Sequence, residues 1–270
     1  MVRITFLGTG GGRFATIYQA RATGGIYLED GRNVHIDPGP GALVRMRSVG
    51  LDPMSTHAIL ISHCHPDHYL DAEILLEAMT EGGTRKQGVL AGSRSVIEGD
   101  GEFGPAISKY HLAKPKTVKV LTPSTKVSIK PLEVTATPSA HSDTSSVGFR
   151  IQTSKGVVSY VSDTQLVEPV IKAHRRCRLL IACVTRPLGK RIPHHLSTED
   201  AGYLIEKVKP ELAVLTHFGM RVLQENPETQ AKWIEDRSGV RTVAARDYMM
   251  LEMEEGDISV SDRIRNGVSD

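Results

Sequence analysis

Two periodicities alternate along this chain. Short apolar runs of the kind that form strands occupy residues 2–7, 26–29, 33–36, 58–61, 132–137, 157–162 and 212–216. Apolar residues recur at helical spacing over 70–79, 166–174, 198–208 and 227–236. Ser197-Thr198-Glu199-Asp200 reads as a helix start, with a hydroxyl cap and acids in the first turn. The first run opens the chain as a strand, and the next two read as a hairpin. Strands interleaved with helices over most of the length predict a layered α/β scaffold. Several runs also share an ending: 58–61 leads into His63, 132–137 into His141, 157–162 into Asp163, and 212–216 into His217. Loops at one rim of such a scaffold are where functional side chains collect.

At 270 residues the chain is long enough for one large domain, expected over 1–260, and neither a linker nor a repeat divides it. The polar segment 261–270 is expected to be a loosely held tail. Cys64, Cys177 and Cys183 are an odd count without paired spacing, which argues against a disulfide framework. No basic-then-apolar leader stands out, nor an apolar run near about 20 residues, so a cytoplasmic protein with no membrane partner is expected.

The formal net charge is only +2, yet no Asp or Glu occurs from Pro169 through Thr198. That stretch holds Lys172, Arg175, Arg176, Arg178, Arg186, Lys190 and Arg191. Residues 172–178 suit either a solvated helix face or a binding surface. Arg186, Lys190 and Arg191 lead to His194 and His195, and are the better candidates for meeting an anionic substrate.

The strongest chemical signal is His63-Cys64-His65-Pro66-Asp67-His68, directly after the apolar run 58–61. Alternation along extended backbone sends His63 and His65 to one side and turns Cys64 away from them. The following turn can swing Asp67 and His68 toward a second position nearby. Imidazoles with a carboxylate suit zinc and similar divalent ions better than calcium or magnesium, with manganese and iron as alternatives. Further ligands are then required downstream, and His141, Asp163 and His217 stand where strands stop. The glycine run Gly8-Thr9-Gly10-Gly11-Gly12 is not a nucleotide loop, because no Gly-Lys-Ser/Thr follows and Arg13 stands where a dinucleotide fingerprint needs its third glycine. These glycines are expected to let the backbone turn tightly beside the metal site.

The pattern His-x-His-x-Asp-His, a later His, Ser162-Asp163-Thr164 and Thr216-His217 resembles the metallo-β-lactamase superfamily of binuclear hydrolases. The match runs from Phe6-Leu7-Gly8-Thr9-Gly10 through His35-Ile36-Asp37-Pro38-Gly39 to Thr216-His217-Phe218. The resemblance implies a four-layer αββα sandwich and two divalent ions. His63, His65 and His141 would hold the first ion. Asp67, His68 and His217 would hold the second, with Asp163 bridging and Asp37 orienting the cluster. A metal-bridging hydroxide, oriented by Asp67 or Asp163, would be the nucleophile. Superfamily relatives are often homodimers.

His195-Leu196-Ser197-Thr198 followed by Thr216-His217-Phe218 resembles the tRNA 3′-end processing endonucleases (tRNase Z). There the histidine protonates the leaving alkoxide, a role expected here of His195 with His194 as rival. The interval between His141 and Asp163 has no room for the tRNA-gripping arm of the long enzymes. The cluster also resembles phosphoribosyl cyclic phosphate phosphodiesterases, but no cysteine precedes Cys64 to build their additional zinc site. The expected activity is a metal-dependent phosphodiesterase acting on a small, cyclic or nucleotide substrate. The alternatives are an RNA-processing endonuclease and a carbonyl hydrolase such as a thioesterase, lactonase or β-lactamase.

Overall fold

The computed structural model describes residues 1–262. Its strands are β1 (Val2–Gly8), β2 (Thr23–Glu29), β3 (Asn33–Ile36), β4 (Ala58–Ile61), β5 (Val89–Ser93), β6 (Thr117–Leu121), β7 (Lys126–Ile129), β8 (Leu132–Pro138), β9 (Val147–Thr153), β10 (Gly156–Val161), β11 (Leu179–Cys183), β12 (Leu212–Thr216), β13 (Thr242–Ala244), β14 (Met249–Glu254) and β15 (Asp257–Asp262). One sheet has the order β15-β14-β1-β2-β3-β4-β5-β6, the other β13-β12-β11-β10-β9-β8-β7. Each sheet is antiparallel in one half and parallel in the other. The parallel halves are β3 through β6 and β10 through β13. Parallel neighbours need crossover connections, and these place helices on the outer faces.

Alternation along each strand divides its side chains between two apolar layers. In β4, Ala58 and Leu60 pack between the sheets, whereas Ile59 and Ile61 face the helices outside. In β12, Leu212 and Val214 face inward and Ala213 and Leu215 outward. Burial on both faces explains why these strands read as unbroken apolar runs. Helices Ala42–Ser48 and Ala72–Met79 cover one sheet. Helices Glu168–His174, Thr198–Val208 and Pro227–Ser238 cover the other. The layers are therefore those of an αββα sandwich. Among the described residues no helix is long and apolar enough to cross a membrane.

Local chemistry sets several boundaries. The Ser197 side chain accepts from the Asp200 amide while Asp200 accepts from the Ser197 amide, a reciprocal cap that starts Thr198–Val208 where expected. The helix expected over 70–79 starts two residues later, as Ala72–Met79, and a separate short helix, Pro66–Tyr69, precedes it across Leu70 and Asp71. Pro66 starts the short helix, and that turn is what carries Asp67 and His68. The expected tail is also corrected at its start: Ser261 and Asp262 belong to β15 and pair with Met250 and Met249 of β14. The remainder of that tail lies outside the described residues.

Candidate metal centre and its cavity

The side chains that would bind metal arise at one rim, where strands of both sheets end. His63 follows β4, and His65 caps the helix Pro66–Tyr69 that bears Asp67 and His68. Asp163 follows β10 and His217 follows β12, while His141 lies between β8 and β9. The structure brings all seven together. His63 Nε2 and His141 Nε2 lie 2.9 and 3.1 Å from His65 Nδ1. His217 Nε2 lies 3.0 Å from His68 Nε2 and 3.3 Å from Asp67 Oδ2. Asp163 Oδ2 stands 3.9 Å from both His68 Nε2 and His141 Nε2, and so lies between the two groups. Donor nitrogens around a tetrahedral zinc are roughly 3.3 Å apart, so these spacings suit ligands drawn in around an ion.

The hydrogen bonds behind the rings fix which nitrogen faces inward. His68 Nδ1 donates to Asp37 Oδ2 at 2.9 Å. His63 Nδ1 lies 3.0 Å from Ser62 Oγ, which donates to the same carboxylate oxygen at 2.7 Å. His141 Nδ1 donates to the His194 carbonyl at 2.8 Å. Each arrangement leaves the Nε2 lone pair free for an ion, as metal-binding histidines require. Asp163 Oδ1 is buried and accepts no hydrogen bond, although His217 Nδ1 is 3.1 Å away. A buried carboxylate oxygen without a donor is costly unless a cation meets it. The donor set therefore fits divalent metal.

Electrostatics point the same way. Burial, reinforced by neighbouring imidazoles, pushes His63 well below the ordinary histidine range. Burial likewise takes His141 to about 4, so both present neutral rings. His68 is the exception: burial alone would lower it, but Asp37, Asp67 and Asp163 raise it to about 9. Three carboxylates around one buried imidazole mark a place where positive charge is wanted.

The glycine run lies beside this cluster, as expected. A Cβ on Gly11 would collide with the His217 ring. The Gly12 amide donates to Asp67 Oδ2 at 2.9 Å. Cys64 points away into the apolar layer beneath, where burial pushes its thiol up to about 11.

A cavity of about 1020 Å³ opens onto His65, Asp67 and Asp163, and His195 lines it. His195 Nε2 stands 3.6 Å from Asp163 Oδ2, with Nδ1 donating to the Pro193 carbonyl. Arg186 also lines the cavity, but Lys190, Arg191 and His194 do not. Arg191 instead pairs with Asp200 at 2.9 Å beside the helix cap. His194 is exposed, and its contribution is the carbonyl that orients His141. Two further basic residues of the acid-free segment are paired from outside it: Arg178 with Glu211, and Lys172 with Glu168.

Sequence reasoning missed several residues. Asp143 is buried and accepts from the Cys64 amide and the Ser95 hydroxyl, so it clamps the backbone between His63 and His65. Its signal was present in His141-Ser142-Asp143. Tyr160 donates to Asp37 from the opposite sheet, and Arg13 and Arg221 line the cavity; no local pattern announced any of these.

Comparison with known proteins agrees with this architecture. The model of the beta-lactamase superfamily domain matches residues 32–218. An uncharacterized protein of Methanocaldococcus jannaschii is 42% identical over 258 residues, covering 94% of this chain and 96% of that protein. Ribonuclease Z of Pyrobaculum neutrophilum is 40% identical over 72 residues, only 26% of this chain and 24% of that enzyme. Among solved structures, the metallo-beta-lactamase fold protein YhfI from Bacillus subtilis superposes with a TM-score of 0.76 at 20% identity, covering 96% of this chain and 99% of that one. A diphosphatase from the PhnP family gives 0.67 at 19% identity, covering 94% and 99%. Taken with the clustered histidines and aspartates, these likenesses establish that the chain belongs to the beta-lactamase superfamily and has the metallo-beta-lactamase fold.

Proposed function

We propose that this protein is a binuclear metal-dependent phosphodiesterase acting on a small, cyclic or nucleotide diester. His63, His65 and His141 would hold one divalent ion and Asp67, His68 and His217 the other, with Asp163 reaching both. Zinc is the metal that the imidazole-rich set favours. Ions held there supply a nucleophile from water at neutral pH and polarise a phosphoryl oxygen. Asp67 and Asp163 hold and orient the reacting groups. His195, with Nδ1 engaged by a carbonyl, presents Nε2 to the cavity as the acid for the departing alkoxide.

The observation that carries the reading is the position of His195, beside Asp163 and open to the cavity. A diester with a poor leaving group needs a proton donor there. Hydrolysis of an activated ester gives it less to do. The similarity of part of the chain to a ribonuclease Z supports the same class. The partial likeness to ribonuclease Z also favours a second reading, cleavage of RNA ends. Against the arm-bearing form of that activity, β9 and β10 fill the interval between His141 and Asp163.

The test is turnover of bis-nitrophenyl phosphate, a cyclic nucleotide and a nitrophenyl ester by protein reconstituted separately with zinc and manganese. Diester turnover with negligible ester cleavage supports the proposal. Preferential ester or lactam cleavage would overturn it.

A further inference from the structure

Four of the five clustered imidazoles have an oxygen at the nitrogen turned away from the cluster, and His65 is the exception. Ser62 serves His63, Asp37 serves His68, the His194 carbonyl serves His141, and Thr185 Oγ1 lies 3.3 Å from His217 Nδ1. His65 instead turns Nδ1 inward, 2.9 and 3.1 Å from the Nε2 atoms of His63 and His141. Among the described residues its Nε2 has no hydrogen-bond partner. The ring that meets His65 from outside the cluster is Phe103, with centroids 5.5 Å apart and planes at 76°. Aromatic pairs in this edge-on geometry gain more than their buried area alone provides, so the contact favours one setting of the imidazole.

The backbone delivers Phe103 to this spot. Phe103 closes a hairpin that begins at Asp100: the Asp100 amide donates to the Phe103 carbonyl at 2.8 Å, and the Phe103 amide donates back at 3.1 Å. Gly99, Gly101 and Gly104 around it have φ of 86°, 60° and 67°, a region that side chains disfavour. A Cβ on Gly104 would also strike the Ser95 carbonyl oxygen. The Ser95 hydroxyl donates to Asp143 Oδ2 at 2.5 Å, and the same oxygen accepts from the Cys64 amide at 2.9 Å. The hairpin and the backbone between His63 and His65 therefore share one anchor. Beyond the hairpin, Ile107 is buried, and His111 lies 3.2 Å from Glu73 and 3.1 Å from Glu77 of the helix Ala72–Met79. Phe103 itself is half-buried against the apolar layer that this helix covers.

We infer that Phe103 is the positioning residue for His65, its ring holding the imidazole with Nδ1 toward the ion and doing what a hydrogen bond does for the other four. This rests on the reading of His65 as a metal ligand. Phe103→Leu keeps apolar bulk and removes the aromatic edge. One zinc equivalent should then pass to a chromogenic chelator about 3–10-fold more readily, with the other unchanged. Heteronuclear NMR of the metal-free protein adds a readout that needs neither metal nor turnover. The His65 ring signals should shift and broaden in Phe103→Leu, while those of His68 and His217 stay in place. Phe103→Tyr and Phe103→Trp should restore both readings, because an aromatic ring returns. Gly104→Ala, which must displace the hairpin and leaves both rings intact, should reproduce Phe103→Leu. Wild-type zinc affinity with unmoved His65 signals in Phe103→Leu would overturn the inference. So would equal loosening of both zinc equivalents, the sign of a general structural role. Diester turnover enters neither readout, so full activity beside such a result leaves the phosphodiesterase reading intact. A protein that cleaves no diester, yet holds zinc less tightly in Phe103→Leu and recovers in Phe103→Tyr, would do the reverse.

Discussion

Tyr160 donates a 2.8 Å hydrogen bond to Asp37 Oδ2 and so ties the second sheet to a carboxylate of the first. The same oxygen accepts from Ser62 Oγ and His68 Nδ1, and Asp37 Oδ1 accepts from the Ser62 amide. One buried carboxylate thus orients His68 directly and His63 through Ser62. Tyr160 is held by burial in its neutral, donating form, with Asp37 adding to the effect.

Asp37→Asn should therefore weaken metal uptake roughly 10–100-fold, because an amide removes the charge and offers a donor where donors already crowd. Tyr160→Phe should leave that affinity nearly intact and cost about 0.5–1.5 kcal/mol of stability, since Asp37 keeps its other partners. Competition with a chromogenic zinc chelator reads the first effect and urea unfolding the second. Equal zinc affinity in Asp37→Asn and wild type would remove Asp37 from the positioning role.

Gly11 has a different kind of constraint. Its Cα lies where any Cβ would meet the His217 ring, while its amide donates to the Phe218 carbonyl at 3.1 Å. Gly11→Ala must then displace the imidazole or break the bridge between the first strand's loop and the last ligand. If the centre holds the two zinc ions proposed above, the expected result is loss of one of them by elemental analysis, with the far-ultraviolet circular dichroism retained. Full zinc content in the variant would show that His217 tolerates the displacement or is not a ligand.

The site was more legible in the sequence than the sheets around it, for a physical reason. His63, His65, Asp67 and His68 sit within one local pattern, and His141, Asp163 and His217 each come shortly after a strand. β5 gave no such signal, because Ala91, Gly92 and Ser93 are too small to mark a strand by hydrophobicity. The helix expected over 70–79 failed at Leu70, an apolar residue that is 54% exposed and lies in the junction between two helices. Tyr160 and Asp143 act through partners far away in sequence, and periodicity carries no information about such contacts. Arg191 misled because its basic neighbourhood concealed the pairing with Asp200.

A buried histidine away from the metal centre predicts acid sensitivity. His174 is fully buried, with Nδ1 2.6 Å from Ser159 Oγ and Nε2 lacking a partner. Burial, aided by Arg150, pushes it down to about 3. The unfolded chain takes up a proton below roughly pH 6.5 while the folded chain does not. The contribution of neutral His174 is therefore complete above that value and is lost as pH falls, by about 2 kcal/mol at pH 5. His35, pushed to about 4 by burial, acts in the same direction. Urea unfolding at pH 7.5 and 5.0 should show wild type losing about 2 kcal/mol more than His174→Gln on acidification. Parallel losses in the two proteins would sink the assignment.

His195 offers the sharpest test of chemistry as opposed to architecture. Its Nε2 faces Asp163 at 3.6 Å, close enough that His195 with His141 and Asp163 could also hold an ion, so proton donation and metal support must be told apart. His195→Ala should spare zinc content and slow cleavage of a diester with an alkoxide leaving group by roughly 10²–10⁴-fold. A nitrophenolate departs without a proton, so bis-nitrophenyl phosphate should be slowed far less. The ratio of the two rates separates proton donation from ligand support, because a disturbed metal centre slows both substrates alike. Equal slowing, or zinc loss in the variant, would mean that His195 serves the metals, and the proton for the leaving group would have to come from another group or from water.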